Sequence, residues 1–389
     1  MGCGCAARHG RIGGQKKPIW RLDNDLQRSV ELVALDARRS KQMIFFSVGL
    51  PGRFAEWCDD VAAQLVAHSL GAVELVALNT LEEVAGAATR TSAAHLVASA
   101  RQPALRLQTE IRRANRPFLI ALGDPRAALR HLMQHRGHDL PAAIRAVASS
   151  CAAMLTLATT PGGLALSYRD VDEPADVARA IADHLGLAVK DDEIAAIASA
   201  ASLGEEPAED DAEAAWWNEL DERERALIEG AVQPYVRYFQ RGELDALTWE
   251  PELFFIPGSP TPTPANRVID ITGRARFLIY GPYISLPPGA WSARVVVGFS
   301  AEAAGGSFVI EVTASTQLGY TRVEPTGAQV LDVDLQFTID NSVDHPVEIR
   351  ITNERAAFDG RLVLGYVTIT PRTMVRGETQ QELSRLLSV

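Results

Sequence analysis

Residues 18–203 alternate short apolar runs with stretches whose apolar positions recur at the period of an α-helix. Strands are predicted at 43–48, 72–78, 118–122 and 164–169, and helices at 53–69, 101–114, 126–134, 140–158 and 174–185. Short apolar strands that alternate with helices indicate a parallel sheet covered on both faces. We therefore expect an α/β domain whose ligands bind beyond the carboxyl ends of the strands.

From residue 265 to 372 the pattern changes to alternation with a period of two. Strands are predicted at 277–286, 293–300, 308–314, 329–338, 347–353 and 362–370. Turn sequences such as PPG at 287–289 and FDG at 358–360 separate them. This spacing predicts an antiparallel β-sandwich of the jelly-roll kind. The fold class is thus a multi-domain combination of an α/β domain and an all-β domain.

The stretch 204–264 between these domains reads as an acidic linker followed by a helical connector. Apolar positions at helical spacing cover 216–239, and Pro234 is expected to kink or end the first half. Residues 257–264 alternate proline with serine or threonine and are expected to be extended. Residues 1–17 form a glycine-rich tail that we expect to be disordered, and 373–389 a helical tail.

Composition narrows the class of protein. The 389 residues are 47% hydrophobic and 22% charged, with a net charge of −11. This charge argues against a nucleic-acid partner. We expect no membrane span, because no apolar run approaches about 18 residues, and no secretory signal, so cytoplasm is the default location. Cys3 and Cys5 could bind a metal, accept a lipid or belong to a plain tail.

The first strand leads directly into a glycine-rich turn and a helix. Gly49 and Gly52 flank Leu50 and Pro51 in this turn, and the helix follows from Arg53. A strand, a tight turn and a helix present backbone N–H groups and a helix N-terminus to an anion. The chain therefore has the local pattern of a phosphate-binding loop.

Four motifs, in order, resemble those of the sulfotransferase family. GLPGRFAEW at 49–57 resembles the phosphosulfate loop G-x-P-[RK]-S-G-[ST]-T-W, and LIALGDPR at 119–126 resembles a strand ending in R-D-P-R. LSYRDV at 166–171 and IADHLGL at 181–187 resemble the family's Y-E-D-L and I-x-x-F-L-G-L. The resemblance implies a P-loop-like fold and the donor 3′-phosphoadenylyl sulfate. The positions that it assigns to the donor are Gly49, Pro51, Gly52, Arg53, Glu56, Trp57, Asp124 and Arg126.

The chain departs from the family at the residues that hold the donor. Phe54 replaces a glycine, Glu56 stands where the family has a hydroxyl, and Gly123 replaces an arginine. Losing three or four charge-assisted hydrogen bonds removes about 5–10 kcal/mol of binding. We expect no cofactor and interpret Glu56 as occupying the helix N-terminus itself. In the alternative, Arg53 with Arg101 or Arg126 supplies new positive charge, and the donor still binds.

The histidines offer weaker candidates. His131 and His135 share one face of a predicted helix, at a spacing that suits a metal, but solvated surface histidines explain them as well. His95 is expected on an alanine-rich helix, either as a general base or as a packed side chain. We predict no metal site.

GPYISLPPGAW at 281–291 resembles the opening of carbohydrate-binding sandwich modules associated with bacterial surface-polysaccharide proteins. The candidates for a sugar-binding face are Tyr283, Trp291, Glu311, Arg350 and Glu354, because aromatic rings stack on sugars and charged groups pair with hydroxyls. In the alternative, Tyr283 and Trp291 close the end of the sandwich, and Glu311 and Arg350 form a cross-strand ion pair.

Three functions remain open. The favoured one is a non-catalytic sulfotransferase-like protein that binds glycan, or polysaccharide-assembly proteins, in bacterial surface-polysaccharide biosynthesis. The second is an active glycan sulfotransferase with a remodelled donor site. The third is a structural scaffold for protein assembly.

Overall fold

A computed structural model describes residues 42–167, 173–201, 209–258, 268–340 and 345–374. The predicted tail 1–17, with Cys3 and Cys5, lies outside these residues, as do positions 168–171 of the third motif and most of 257–264. Of the predicted helical tail 373–389, residues 375–389 lie outside them, and residues 373–374 belong to a strand instead of a helix. Of residues 209–213 only the backbone is described.

The first sheet, in the order β2-β3-β1-β4-β5, forms the centre of an α/β domain. The neighbouring pairs β1–β4, β4–β5 and β2–β3 are parallel. Its strands are β1 (Met43–Gly49), β2 (Val73–Ala77), β3 (His95–Ala100), β4 (Phe118–Leu122) and β5 (Gly163–Ser167). The helices of this domain are α1 (Arg53–Leu70), α2 (Leu81–Arg90), α3 (Leu105–Ala114), α4 (Pro125–Arg136), α5 (Leu140–Ala158), α6 (Pro174–Leu185) and α7 (Asp191–Ala200).

Helices cover both faces of this sheet, as the alternating pattern predicts. Buried side chains of α1, α6 and α7 pack with Val97 and Leu119 on one face. Those of α3, α4 and α5 pack with Val48 and Ile120 on the other. The predicted parallel α/β domain is therefore confirmed.

The stretch 79–100 contains a helix and a strand that the sequence pattern did not predict. α2 begins with a capping box in which Thr80 and Glu83 exchange hydrogen bonds, and β3 follows. The expectation that His95 lies on a helix is wrong, since His95 is the buried first residue of β3. A strand buried on both faces has no polar alternation, and its alanines and serine weaken the strand signal.

The C-terminal residues form two antiparallel sheets that pack as a sandwich. The second sheet has the order β11-β10-β13-β8, and the third has the order β12-β9-β14-β6 with β7 paired to β14. The bounds are β6 (Leu247–Trp249), β7 (Ile269–Asp270), β8 (Arg276–Ile284), β9 (Gly289–Phe299), β10 (Phe308–Ala314), β11 (Thr316–Val323), β12 (Gln329–Ile339), β13 (Val347–Asn353) and β14 (Arg361–Met374). The predicted antiparallel sandwich is confirmed, and β6, β7 and β11 are additional strands.

Three helices join the domains: α8 (Glu209–Glu219), α9 (Glu222–Ala231) and α10 (Gln233–Arg241). The helical pattern breaks at Val232, and Pro234 lies in the first turn of α10, where a missing N–H costs nothing. After α10 the chain adds β6 to the third sheet. The stretch expected as a connector thus also completes the sandwich.

Helix α5 connects the two domains. It contacts β8, and the backbone N–H of Ser285 donates to Ser149 Oγ at 3.2 Å. Among the described helices, α5 alone is long and apolar enough to cross a membrane by length and composition. The expectation that no stretch meets this criterion is therefore wrong. However, 72% of its 18-residue apolar window is buried inside the protein, which is the environment of a core helix.

Candidate functional site

The loop after β1 is packed tightly against β4. A Cβ added to Gly49 would lie 2.9 Å from Ala55 Cβ and 3.0 Å from Ala121 Cβ, and Leu50 N–H donates to Ala121 O at 3.3 Å. Gly52 has φ of 150°, which favours glycine, and forms the N-cap of α1 without a side-chain cap. Glycine is therefore required at position 49 by the close packing of the loop against β4, and it is favoured at position 52 by the backbone conformation.

The first turn of α1 turns apolar side chains inward. Phe54 and Trp57 are 6% and 3% exposed and stack with ring centroids 6.2 Å apart. Both belong to the core between α1 and the sheet. The indole Nε1 of Trp57 is buried and has no hydrogen-bond partner among the described residues. Trp57, assigned by resemblance to the donor site, is therefore a core residue.

The carboxylate of Glu56, in the first turn of α1, contacts two side chains of α4. Its Oε1 lies 3.0 Å from Arg136 Nη2 and 3.5 Å from His131 Nε2. Glu56 lies in the first turn of α1, as interpreted, but no side chain caps this helix and the carboxylate is paired with α4. Burial lowers the pKa of His131, and Glu56 opposes this effect.

A cavity of about 50 Å³ lies between the loop and α4. Its lining includes Arg53, Arg130 and His131. Arg130 is 9% exposed. A cavity of this size holds a few waters or a small ion, whereas small-molecule sites occupy about 300–1,000 Å³. The cavity is therefore smaller than a typical small-molecule site.

The second motif forms a cap and an anchor. Asp124 Oδ1 accepts the backbone N–H groups of Arg126 at 2.7 Å and Ala127 at 3.4 Å, which caps α4. The Arg126 side chain points to the connecting helices, where its Nε donates to Gln233 Oε1 at 2.9 Å and its guanidinium lies 4.5 Å from the Trp217 ring centroid. The assignment of Arg126 to a donor phosphate is therefore wrong.

Arg101, the other arginine considered for the donor, is also engaged elsewhere. Its Nη2 pairs with the buried carboxylate of Asp59, and Ser99 Oγ donates to the same oxygen, Asp59 Oδ2, at 2.5 Å. This buried group lies between α1 and the end of β3. Of the arginines weighed from the sequence, only Arg53 lines the cavity by the loop.

Three of the predicted sugar-binding residues meet on the outer face of the second sheet. In the cross-strand register, Tyr320 lies opposite Glu311, Glu311 opposite Arg350, and Arg350 opposite Tyr280. The Arg350 guanidinium lies 5.5 Å from the Phe277 ring centroid. Tyr320, Phe277 and Tyr283 are 59%, 48% and 40% exposed. We name this surface the aromatic face; it consists of Phe277, Tyr280, Tyr283, Glu311, Tyr320 and Arg350.

Ion pairs fix the polar groups of the aromatic face. Arg350 Nη2 lies 2.6 Å from Glu348 Oε2, and Arg350 Nη1 lies 3.8 Å from Glu311 Oε1. The Tyr283 hydroxyl donates to Glu348 Oε1 at 3.1 Å. The cross-strand pair that the sequence left as an alternative is thus present. It holds a guanidinium and a carboxylate side by side among exposed rings.

Sequence reasoning missed Tyr320, Phe277 and Tyr280. The strand β11 was not predicted, because Gly319 and polar residues weaken its pattern. Alternation within β11, once recognised, would have placed Tyr320 on the same face as Arg322. The register that places Tyr320 of β11 opposite Glu311 of β10 could not be predicted from either strand alone.

The remaining two candidates lie elsewhere. Trp291 is 1% exposed, and its Nε1 donates to Pro287 O at 3.0 Å inside the sandwich, so its assignment to a sugar-binding face is wrong. Glu354 accepts hydrogen bonds from Arg322 Nε at 2.6 Å and Ser307 Oγ at 2.7 Å. The hydrogen bond from Arg322, and to a smaller extent that from Ser307, lowers the pKa of Glu354 to about 2.

The histidines of α4 do not form a metal site within the described residues. His131 and His135 have ring centroids 5.2 Å apart. No group of three or more histidine, cysteine, aspartate or glutamate side chains suited to a metal occurs in the described part of the chain.

Comparison with known proteins gives no family assignment. No family model matches the chain, and no curated protein matches it. Among solved structures, mouse sulfotransferase SULT7A1 complexed with PAP aligns with 50% of this chain and 85% of its own, at 12% identity and a TM-score of 0.37. The xylan-binding module CBM15 aligns with 33% of this chain and 99% of its own, at 15% identity and a TM-score of 0.25. The C-terminal CBM6 of LamC from Zobellia galactanivorans aligns with 32% of this chain and 99% of its own, at 18% identity and a TM-score of 0.22. Similarities of this size carry no conclusion about ligand or activity.

Proposed function

We propose that this chain is a non-catalytic glycan-binding protein whose saccharide lies on the aromatic face. The observation that carries the proposal is the row Tyr320–Glu311–Arg350–Tyr280 across four adjacent strands, flanked by exposed Phe277 and Tyr283. Large exposed aromatic side chains that cluster on one surface are typical of binding sites.

The chemistry of this face suits a saccharide. Aromatic rings give flat apolar surfaces for the C–H face of a sugar ring. Glu311 accepts hydrogen bonds from hydroxyl groups, and Arg350 donates to them. Because Arg350 is already held by Glu348 and Glu311, little side-chain freedom is lost when a sugar binds.

The size of the face favours an oligosaccharide. Neighbouring strands lie about 4.8 Å apart, so the row from β11 to β8 spans about 14 Å. A polysaccharide, or the proteins that assemble one, is therefore the proposed partner. The resemblance of 281–291 to modules of bacterial surface-polysaccharide proteins supports surface-polysaccharide production as the setting, with the chain in the cytoplasm.

The donor loop supports a non-catalytic role. Phe54 and Trp57 are packed into the core, and Arg126 anchors the connecting helices. The cavity of about 50 Å³ leaves no room for a sulfonucleotide without rearrangement. We accordingly propose that no cofactor takes part.

The test is affinity electrophoresis of the full chain through gels that contain acidic or neutral polysaccharides. Tyr320→Ala removes an exposed ring, and we expect binding to fall by at least about 10-fold, since burying such a side chain contributes about 1.5–3 kcal/mol. Val330→Ala is the matched control, because Val330 is 72% exposed on β12 of the other sheet. Equal retention of both variants, or no retention of the wild type in any gel, would refute the proposal.

A second candidate function rests on Arg130. Arg130 is 9% exposed and lines the loop cavity beside Arg53. It supports the alternative of an active glycan sulfotransferase whose remodelled site takes 3′-phosphoadenylyl sulfate after the loop opens. Calorimetry with adenosine 3′,5′-bisphosphate distinguishes the two: micromolar binding that Arg130→Gln abolishes favours the transferase, and absence of binding favours the non-catalytic protein.

A further inference from the structure

A larger cleft separates helices α3 and α5 from the end of the sandwich. Its volume is about 430 Å³, within the range of small-molecule sites. Arg145 and Ser149, one turn apart on α5, line one wall, and Tyr283, Leu286 and His345 line the other. We name this space the interdomain cleft. It is separate from the loop cavity and shares only Tyr283 with the aromatic face.

The charge of the interdomain cleft is opposite to that of the whole protein. The chain carries 49 acidic residues, yet none of the described residues that line the cleft is an aspartate or a glutamate. The lining instead contains Arg145, His138 and His345. In a protein with a net charge of −11, this concentration of basic side chains favours an anion.

Arg145 is the arginine of the cleft; burial lowers its pKa, and the nearby charge of Asp139 opposes this effect. Its guanidinium carbon lies 5.0 Å from the Phe255 ring centroid, which supports the group from one side. Its Nη1 is buried and has no hydrogen-bond partner among the described residues. Arg101 also has an unpartnered Nη1, but its Nη2 is paired with Asp59. A buried, unsatisfied guanidinium N–H costs free energy, and an anionic ligand would recover it.

A second polar group in the cleft also lacks a partner. Gln108 is 5% exposed, and its Nε2 donates to Pro103 O at 2.8 Å, which fixes the orientation of the amide. Its Oε1 is buried and unpartnered within the described residues. This oxygen can accept a hydrogen bond from a hydroxyl group. The exposed ring of Tyr283 adds a surface for stacking.

We propose that the interdomain cleft binds a small hydroxylated anion, such as a sugar acid or a sugar phosphate. Arg145 holds the anionic group, Gln108 Oε1 accepts a hydroxyl, and Tyr283 contacts the body of the molecule. The site shares Tyr283 with the aromatic face, whereas Arg145 and Gln108 line only the cleft, so variants of residues other than Tyr283 separate the two sites.

The test is titration calorimetry of the full chain with glucuronate, glucose 6-phosphate and glucose, which share one body and differ in charge. We expect both anions to bind and glucose to bind at least about 10-fold more weakly. Arg145→Gln should lower the affinity for the anions by about 10- to 100-fold. Arg113→Gln is the matched control, because it removes one charge from the exposed surface of α3.

Three outcomes would overturn this proposal: equal binding of glucose and the anions, unchanged binding by Arg145→Gln, or no binding of either anion at millimolar concentrations. Arg145→Lys keeps the charge but not the forked geometry and should give an intermediate affinity. Tyr320→Ala should leave the titrations unchanged. Failure of the aromatic-face proposal is thus distinguishable from failure of this one.

Discussion

The Arg126 anchor gives a direct test of whether the second motif has a structural role. The guanidinium of Arg126 joins α4 to the connecting helices through Gln233 and Trp217. Arg126→Ala removes a charge-assisted hydrogen bond and a cation–π contact in one step, and leaves the Gln233 amide without its donor.

The magnitude follows from these two contacts. A hydrogen bond to a charged group contributes about 1.5–3 kcal/mol, and a cation–π contact near the surface about 0.5–1 kcal/mol. Because Arg126 is only partly buried, we take the lower ends and expect a loss of about 2–3 kcal/mol in the free energy of unfolding. This is a large part of the roughly 5–15 kcal/mol typical of folded proteins.

Urea unfolding followed by tryptophan fluorescence measures this loss. A double-mutant cycle with Gln233→Ala should give a coupling energy of about 1 kcal/mol, since the two groups share one hydrogen bond. Arg136→Ala on the same helix is the control, because its exposed ion pair with Glu56 contributes about 0–1 kcal/mol. If Arg126→Ala is no more destabilising than Arg136→Ala, or the coupling is zero, the anchor does not exist.

Three further predictions concern packing and ionisation. Gly49→Ala should destabilise the fold by about 1–3 kcal/mol because the added Cβ clashes with Ala55 and Ala121. Gly123→Ala is the control and should be tolerated, because its Cβ would lie 4.0 Å from Leu50 Cβ. Thermal unfolding of the two variants measures the difference. The pKa of Glu354 is about 2 in the folded protein, below the ordinary glutamate value of 4.5, so its stabilising effect is complete above pH 4.5 and is lost as the pH falls towards 2. Glu354→Gln should flatten this part of the stability–pH curve measured by urea unfolding. Trp291→Phe should lower the free energy of unfolding in urea by about 1–3 kcal/mol, because it removes the hydrogen bond to Pro287 and the smaller ring leaves a cavity. Retention of this variant in polysaccharide gels should stay unchanged.

The family resemblance and the geometry agree on shape and disagree on residues. Gly49 and Gly52 keep the backbone of the loop, whereas the side chains that follow fill the core. Glu56 lies in the first turn of α1, as expected, and its carboxylate is also paired with Arg136 of α4. Which of two helices a side chain contacts depends on residues 80 positions away, and no local pattern carries that information.

The sequence by itself determined the two kinds of domain and their order. Apolar positions recur with a period of 3.6 in the helices of the first domain and with a period of two in the strands of the second. Both periods are local properties of the chain, and each specifies which face of an element is buried. The turn before α1 and the cap of α4 are equally local, because a few neighbouring residues form them. Where this pattern was weak, as in β3 and β11, the prediction failed.

Only the tertiary structure decided which side chains meet. Tyr320 and Tyr280 share a row because β10 and β13 lie between their strands, and Arg145 reaches the interdomain cleft because α5 packs against β8. Strand register and helix docking are set by contacts between residues far apart in the chain. Both candidate ligand surfaces, the aromatic face and the interdomain cleft, arise from such contacts.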